Sequence, residues 1–234
     1  MPSRHSLTVR VTHWVSALCF FALLVSGFEI VVSHPRFYWG ENGNARTPAW
    51  LTLPIPASRG SVPTGYGYTL PDQNGWSRYL HFQAAWGAVL TGLVYAIYSL
   101  WSGHLRRNLI PERAGLSWRA LGAAIAQHLR SGADPAGAQS YNLPQRIAYL
   151  AVVFGLFPLV IWTGLAMSPS FVSAFPITVT ALGGRQSART IHFLVSLSLL
   201  LFVLIHLVMV YRAGFGSRVR AMITGRTGTG REEL

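Results

Sequence analysis

Four long stretches of the chain are apolar and contain no Asp, Glu, Arg or Lys. They cover residues 11–28, 79–101, 147–167 and 191–211. A hydrocarbon core of about 30 Å requires roughly 20 helical residues, so each stretch can cross a bilayer with a few flanking residues. The stretches lack the alternation of barrel strands, and a helix satisfies its own backbone groups inside lipid. The pattern predicts an all-α integral membrane protein, a four-transmembrane-helix bundle.

Composition supports a membrane protein over the soluble classes. The 234 residues are 51% hydrophobic and only 11% charged, although the formal net charge is +12. A soluble domain carries about 25% charged residues, and disorder requires low hydrophobicity, so neither class fits. The single cysteine, Cys19, excludes a disulfide framework.

The distribution of arginine predicts the orientation of the bundle. All 19 basic residues are arginine, and 13 of them lie in residues 1–10, 102–146 and 212–234. Cytoplasmic segments of membrane proteins carry the excess of positive charge, so the N- and C-termini are predicted to be cytoplasmic. Because the arginines mark one side of the bundle, we expect no nucleic-acid surface.

The organisation follows from these spans. A four-helix membrane domain of residues 1–224 would precede a flexible tail of residues 225–234, with an outer loop over 31–75 and an inner loop over 103–144. The predicted spans are residues 8–30, 76–102, 145–168 and 188–212. Apolar residues at helical spacing within 116–130 predict an interfacial helix in the inner loop. Pro158 predicts a kink in the third span.

Four of the eight histidines lie inside the spans: His13, His81, His192 and His206. A titratable ring is costly inside a membrane, so such a histidine indicates function. The remaining histidines are assigned to surface or loop roles: His5, His34, His104 and His128.

The spacing of the four histidines predicts two pairs. His192 and His206 are fourteen residues apart. On a helix their side chains therefore differ by only about 40° around the axis and lie about 21 Å apart along it. The alternating direction of the spans then puts His81 level with His192, and His13 level with His206. Two histidines at equal depth on facing helices can supply both axial ligands of a haem iron. The sequence therefore predicts two enclosed haems, an outer one at His81–His192 and an inner one at His13–His206.

Three of these histidines follow an arginine by three residues. Arg10, Arg78 and Arg189 thus lie one helical turn closer to water. A guanidinium there can bind a haem propionate; alternatively, these are ordinary charges at span ends that snorkel and set topology. Gly27 and Gly164, near the outer level, either allow close helix packing or leave room for a porphyrin.

Three stretches carry a resemblance to a known family. They are HPRFYWGENG at 34–43, YNLPQRIAYLAVVFGLFPLVIWTGLAMSP at 141–169 and GGRQSARTIHF at 183–193. With the histidine spacing, they resemble the bacterial di-haem cytochrome b membrane subunits of nickel-iron hydrogenases and formate dehydrogenases. The three stretches are most similar to the thiosulfate-reductase-type cytochrome b branch. The resemblance covers nearly the whole chain except the tail.

The resemblance implies a multi-pass subunit of the bacterial inner membrane that holds two haem b. It implies electron transfer between the quinone pool and a periplasmic redox subunit, in this branch a molybdopterin oxidoreductase. Such a subunit has no catalytic residues, and the only substrate chemistry expected of it is the oxidation or reduction of quinone. The quinone would bind near the inner haem, around His13, Trp14 and His206. The outer loop would dock the partner.

Three other functions remain open at this point. The first is a haem-free membrane anchor whose histidines bond neighbouring helices. The second is a transporter or proton channel, which the absence of Asp, Glu, Arg and Lys from the four apolar stretches disfavours. The third is a stand-alone transmembrane haem oxidoreductase, against which the long outer loop argues.

Overall fold

The computed structural model describes residues 6–43, 47–55, 69–103 and 143–225. The predicted interfacial helix at 116–130, the tail beyond residue 225, and His5, His104 and His128 lie outside these ranges. Within them, the four predicted membrane-spanning helices are present: the segments long and apolar enough to cross a bilayer are Leu7–Ser33, Gly75–Trp101, Arg146–Ala166 and Arg185–Arg212. The prediction of a four-span helical membrane protein is confirmed.

The elements follow one another along the chain. Helix α1 covers Leu7–Ser33 and α2 covers Thr69–Trp101. The third span consists of α3 (Leu143–Ala151), a π-helical turn (Val152–Leu156) and α4 (Phe157–Ala166). The fourth span is α7 (Arg185–Arg212). Shorter elements are β1 (Arg36–Phe37), β2 (Leu51–Thr52), α5 (Pro169–Ala174), α6 (Ile177–Thr180) and α8 (Phe215–Thr224).

The chain divides into two compact units. The first unit comprises Met1–His13, Leu93–Phe157 and Ser198–Leu234, and the second comprises Trp14–Gly92 and Pro158–Leu197. His13 and His206 belong to the first unit, whereas His81 and His192 belong to the second. Each predicted histidine pair therefore lies within one unit.

The second unit buries small and hydroxyl-bearing residues. A core of Ala166, Val179 and Ala188 joins α4, α6 and α7. The hydroxyl residues Ser26, Ser77, Thr163 and Thr190 are fully buried, while large apolar side chains such as Phe21 and Phe82 are exposed. Lipid tails solvate large apolar groups as well as the protein interior does, so membrane helices bring small and polar residues inward.

The outer loop caps the beginning of α7. The backbone N–H of Arg185 donates to the Glu41 Oε2 at 3.0 Å, and the N–H groups of Gln186 and Ser187 both donate to the Gly40 carbonyl, at 3.0 and 3.2 Å. A helix N-terminus leaves its first N–H groups without intrahelical partners, and the positive end of its dipole favours a carboxylate. The segment HPRFYWGE therefore satisfies the N-terminus of the helix that carries His192.

Further contacts fix this loop along the first two turns of α7. The Thr190 hydroxyl donates to the Tyr38 carbonyl at 2.7 Å. The ring of Phe37, which is buried, stacks on Phe193 with centroids 4.2 Å apart. Strand β1 pairs antiparallel with β2, Phe37 opposite Leu51, and so holds Phe37 in place.

The third span is interrupted just before its proline. The N–H of Phe157 donates to the carbonyl of Val152, five residues back, which closes the π-helical turn. Pro158 has no N–H, and its ring clashes with the carbonyl four residues earlier in a regular helix. A wider turn at this position accommodates the proline, and such turns are a recognised cause of helix irregularity.

Candidate functional site

The structure brings the predicted histidine partners together. In the second unit, the ring centroids of His81 and His192 are 6.2 Å apart, with an angle of 60° between the ring planes. In the first unit, those of His13 and His206 are 6.4 Å apart, with an angle of 59°. The same pair geometry thus occurs twice. In each pair α7 contributes one histidine, and the partner comes from α2 in the second unit and from α1 in the first unit.

These separations suit a metal ion between the rings. Bonds of about 2 Å from a metal to one nitrogen of each imidazole put the two ring centroids roughly 6 Å apart on opposite sides of the metal. Bis-histidine coordination is one of the ways in which proteins hold haem iron, so the residues present fit a six-coordinate haem in each unit.

A buried hydroxyl group contacts the Nδ1 atom of each of the two paired histidines in the second unit, His81 and His192. The Ser26 Oγ of α1 lies 3.0 Å from the His81 Nδ1. The Thr163 Oγ1 of α4 lies 2.9 Å from the His192 Nδ1. Both hydroxyl residues are fully buried. The Nδ1 atoms are therefore engaged by protein, which leaves Nε2 of each ring as the atom available for iron.

The glycine that follows each hydroxyl residue lies against the same ring. A Cβ built on Gly27 would be 3.5 Å from the His81 Cε1, and one built on Gly164 would be 3.5 Å from the His192 Cε1. Both distances are ordinary van der Waals contacts. The two glycines predicted to lie near this level thus adjoin the ligand rings, and their role in making room for a porphyrin stays a prediction.

Aromatic rings adjoin the pair in the first unit. The Phe202 ring lies on the His206 ring at a centroid distance of 6.1 Å and an angle of 20°. Tyr149 meets Phe202 edge-on at 6.2 Å. Phe202 and Tyr149 thus form an aromatic cluster beside His206.

Arg10, one turn before His13, has one N–H group without an acceptor in the described part of the chain. Its Nη1 donates to the Ile223 carbonyl near the end of α8 at 3.2 Å. Its Nε is buried and has no hydrogen-bond partner within the described part of the chain. A buried guanidinium nitrogen normally has an acceptor, so the site fits an anionic group such as a haem propionate. The pairing itself stays a prediction.

Arg189 and Arg78 lie in different surroundings. The Arg189 Nη2 donates to the carbonyls of His34 and Arg36, and its guanidinium carbon lies 5.2 Å from the centre of the Phe37 ring. A guanidinium has five N–H donors, so these contacts do not exhaust it. Arg78 is exposed on α2. The structure thus adds a loop-binding role for Arg189 to the propionate role that the sequence predicts.

Sequence reasoning missed Ser26, Thr163 and Phe202. A signal was available for the first two, because a hydroxyl residue directly precedes a glycine in both Ser26-Gly27 and Thr163-Gly164. That repetition on two spans marks positions where a small residue and a polar group face the same neighbour. Phe202 had no such signal, since it is one of many apolar residues on the fourth span.

Comparison with known proteins assigns the chain to a family. It is similar to the putative protein-methionine-sulfoxide reductase subunit YedZ1 of Azospira oryzae (strain ATCC BAA-33 / DSM 13638 / PS), with 29% identity over 206 residues, 88% of this chain and 89% of the relative. No solved structure matches it significantly. The family model described as prokaryotic cytochrome b561 matches residues 4–225. The chain therefore belongs to the prokaryotic cytochrome b561 family and is a multi-pass bacterial membrane haem protein of electron transport.

Proposed function

We propose that the chain is a di-haem electron-transfer subunit of the bacterial inner membrane, with both termini in the cytoplasm. His81 and His192 ligate one haem b, and His13 and His206 ligate the other. The subunit transfers electrons between the quinone pool and a periplasmic oxidoreductase partner. The observation that carries the proposal is the repetition of one pair geometry, with ring centroids 6.2 and 6.4 Å apart, in two separate units.

Haem b bound at these pairs would supply a reversible one-electron couple. The chain's own residues set its conditions. The four imidazoles would hold the two haem irons, two imidazoles to each. Arg10, Arg78 and Arg189 would pair with propionates and so offset charge at the membrane edge. The apolar spans keep water and other reactants away from both pairs.

The partner and the direction of electron flow are proposed from the relative. The Azospira protein is named as a subunit of a putative reductase. A membrane subunit that serves a reductase delivers electrons to it, so we propose flow from quinol through the subunit to the partner. The partner type proposed from the resemblance of the three sequence stretches is a molybdopterin oxidoreductase. The word subunit in the relative's name favours this over a stand-alone oxidoreductase.

The quinone is proposed to bind beside the His13–His206 pair. The resemblance of the three sequence stretches implies a quinone near His13, Trp14 and His206. The ring of Phe202 lies beside the His206 ring, nearly parallel to it, with the centroids 6.1 Å apart. The flat rings of Phe202 and Tyr149 in an apolar helix bundle suit a quinone head group, which is itself planar and enters from the bilayer.

The deciding experiment is purification of the full chain in mild detergent from its native membrane. Two haems per chain, reduction of both by an added quinol, and a co-purifying molybdenum enzyme would support the whole proposal. A single haem per chain would overturn the two-site assignment. A haem-loaded chain that purifies alone and reacts with a soluble acceptor would instead support a stand-alone oxidoreductase.

A further inference from the structure

The two histidines of the second unit are held in the same way by two different helices. Each ring contacts a dipeptide made of a hydroxyl residue and a glycine: Ser26-Gly27 for His81 and Thr163-Gly164 for His192. The hydroxyl-to-Nδ1 distances are 3.0 and 2.9 Å, and a Cβ added to either glycine would lie 3.5 Å from the Cε1 of the adjacent ring. The two contacts agree within 0.1 Å although they arise on unrelated parts of the sequence.

The hydrogen of each hydroxyl is already committed to the helix backbone. The Ser26 Oγ lies 2.7 Å from the Ala22 carbonyl, and the Thr163 Oγ1 lies 2.8 Å from the Leu159 carbonyl. Two oxygen atoms at such a distance repel each other unless a hydrogen lies between them, and a carbonyl cannot supply one. Each hydroxyl therefore donates to the carbonyl four residues back, as serine and threonine in membrane helices commonly do.

It follows that each hydroxyl can only accept from its histidine. A hydroxyl has one hydrogen and two lone pairs, so the hydrogen in the bond to Nδ1 must come from the imidazole. Nδ1 then carries the hydrogen in both rings, and Nε2 has the free lone pair. Backbone geometry thus selects the ring tautomer, which is the one that can bind iron through Nε2.

We infer that Ser26 and Thr163 are positioning residues that fix the Nδ1–H tautomer of His81 and His192 and lower the midpoint potential of the haem that these histidines bind. The inference rests on the proposed function. An acceptor on the far N–H of a metal-bound imidazole orients the ring and makes it a stronger electron donor to the metal. A stronger donor favours the ferric state over the ferrous state.

The test compares variants of Thr163 that separate the hydroxyl from the shape of the side chain. Thr163→Val keeps the shape and removes the hydroxyl, whereas Thr163→Ser keeps the hydroxyl and removes the methyl group. In redox titrations of the full chain, T163V should raise the midpoint potential of one haem by about 59 mV, a tenfold change in its equilibrium constant. T163S should behave like the wild type, and the second haem should be unaffected in both.

Two more variants complete the test. The first controls for the loss of a hydroxyl-to-carbonyl hydrogen bond within a helix, and the second tests the hydroxyl that contacts His81. Thr91→Val removes a hydroxyl that makes the same bond to a carbonyl four residues back, to Gly87 at 2.7 Å, and it should leave both potentials unchanged. Ser26→Ala should raise the same potential as T163V. Because the two hydroxyls act on different ligands, the double variant should show roughly the sum of the two shifts. The ferric low-spin electron paramagnetic resonance signal of that haem should change with them.

Several outcomes would overturn the inference. One is unchanged potentials in T163V and S26A with two haems retained, and another is an equal shift in T163V and T163S, which would indicate packing. If T163V yields no haem protein, S26A decides alone, since it removes a single oxygen atom. A wild-type chain with fewer than two haems would instead overturn the proposed function, so the two failures are distinguishable.

Discussion

Gly184 lies so close to Gly40 that no side chain fits between them. A Cβ on Gly184 would be 2.5 Å from the Gly40 carbonyl carbon, and Gly184 itself has a φ of +113°. The contact joins two of the three sequence stretches that carry the family resemblance, 34–43 and 183–193. It allows the Gly40 carbonyl to accept both the Gln186 and Ser187 N–H groups at the beginning of α7.

Gly184→Ala is therefore expected to destabilise the protein strongly. The substitution adds left-handed backbone strain of about 1 to 2 kcal/mol to a clash with backbone that cannot move without breaking the cap of α7. Gly183→Ala is the matched control, because Gly183 also has a positive φ of +78° but its Cβ would be 3.6 Å from the nearest atom, the Ser187 Oγ. Thermal unfolding in detergent should show a larger loss for G184A, and equal losses would contradict a role for the close contact.

His192→Ala is expected to remove one haem and leave the other. The haem-to-protein ratio should fall by half, because the ring that faces His81 at 6.2 Å is gone while His13 and His206 keep their geometry. His206→Ala should remove the other haem, and the two variants should lose different components of the reduced optical spectrum. His34→Ala is the control histidine and should retain both haems. Two intact haems in H192A would contradict the pairing.

Arg10→Gln is expected to lower the potential of the His13–His206 haem alone. A unit positive charge at roughly 10 Å and an effective dielectric of about 20 stabilises an added electron by about 1.7 kcal/mol. Arg189→Gln should lower the other potential, so each variant serves as the control for its counterpart. Redox titration monitored by absorbance measures both. No shift in either variant would leave the arginines with topological and loop-binding roles only.

Trp39→Ala and Trp50→Ala are expected to weaken binding of the proposed periplasmic partner. The two rings meet edge-on with centroids 5.4 Å apart, and both are about half exposed on the outer loop. Exposed tryptophans are frequent binding hot spots, and the loss of one costs about 2 kcal/mol or more, near a thirtyfold change in Kd. Trp101→Ala is the control, since Trp101 is exposed at the end of α2 that is predicted to be cytoplasmic. An affinity unchanged in W39A and W50A would exclude this surface as the dock.

The sequence predicted the spans and the histidine pairs because both depend on local rules. Length and hydropathy define a span, and the fourteen-residue spacing of His192 and His206 defines a helix face. The pairing with His13 and His81 then follows from the alternating direction of the spans. None of these steps requires knowledge of how the helices rotate against one another.

The contacts around the pairs could not be predicted in this way. Whether Ser26 faces His81 depends on the rotation of α1, which the packing of the whole unit decides. The cap of α7 by Glu41 joins residues 144 positions apart, and no local pattern encodes that distance. The π-helical turn before Pro158 illustrates an intermediate case, because the proline indicates a disturbance but not its form.

Both histidine pairs take one member from α7, the last long helix of the chain, and this fixes the order of assembly. Chains grow from the N-terminus at about 5 to 20 residues per second, so His13 and His81 enter the membrane well before a partner exists for either. Neither pair can form until the fourth span has been made, and a chain truncated before residue 192 could close neither. The outer loop likewise waits for Gly184 and Arg185. If the two pairs bind haem as proposed, haem insertion is a late event. A pulse-labelled, ribosome-bound chain should then contain no haem until its last long helix has emerged.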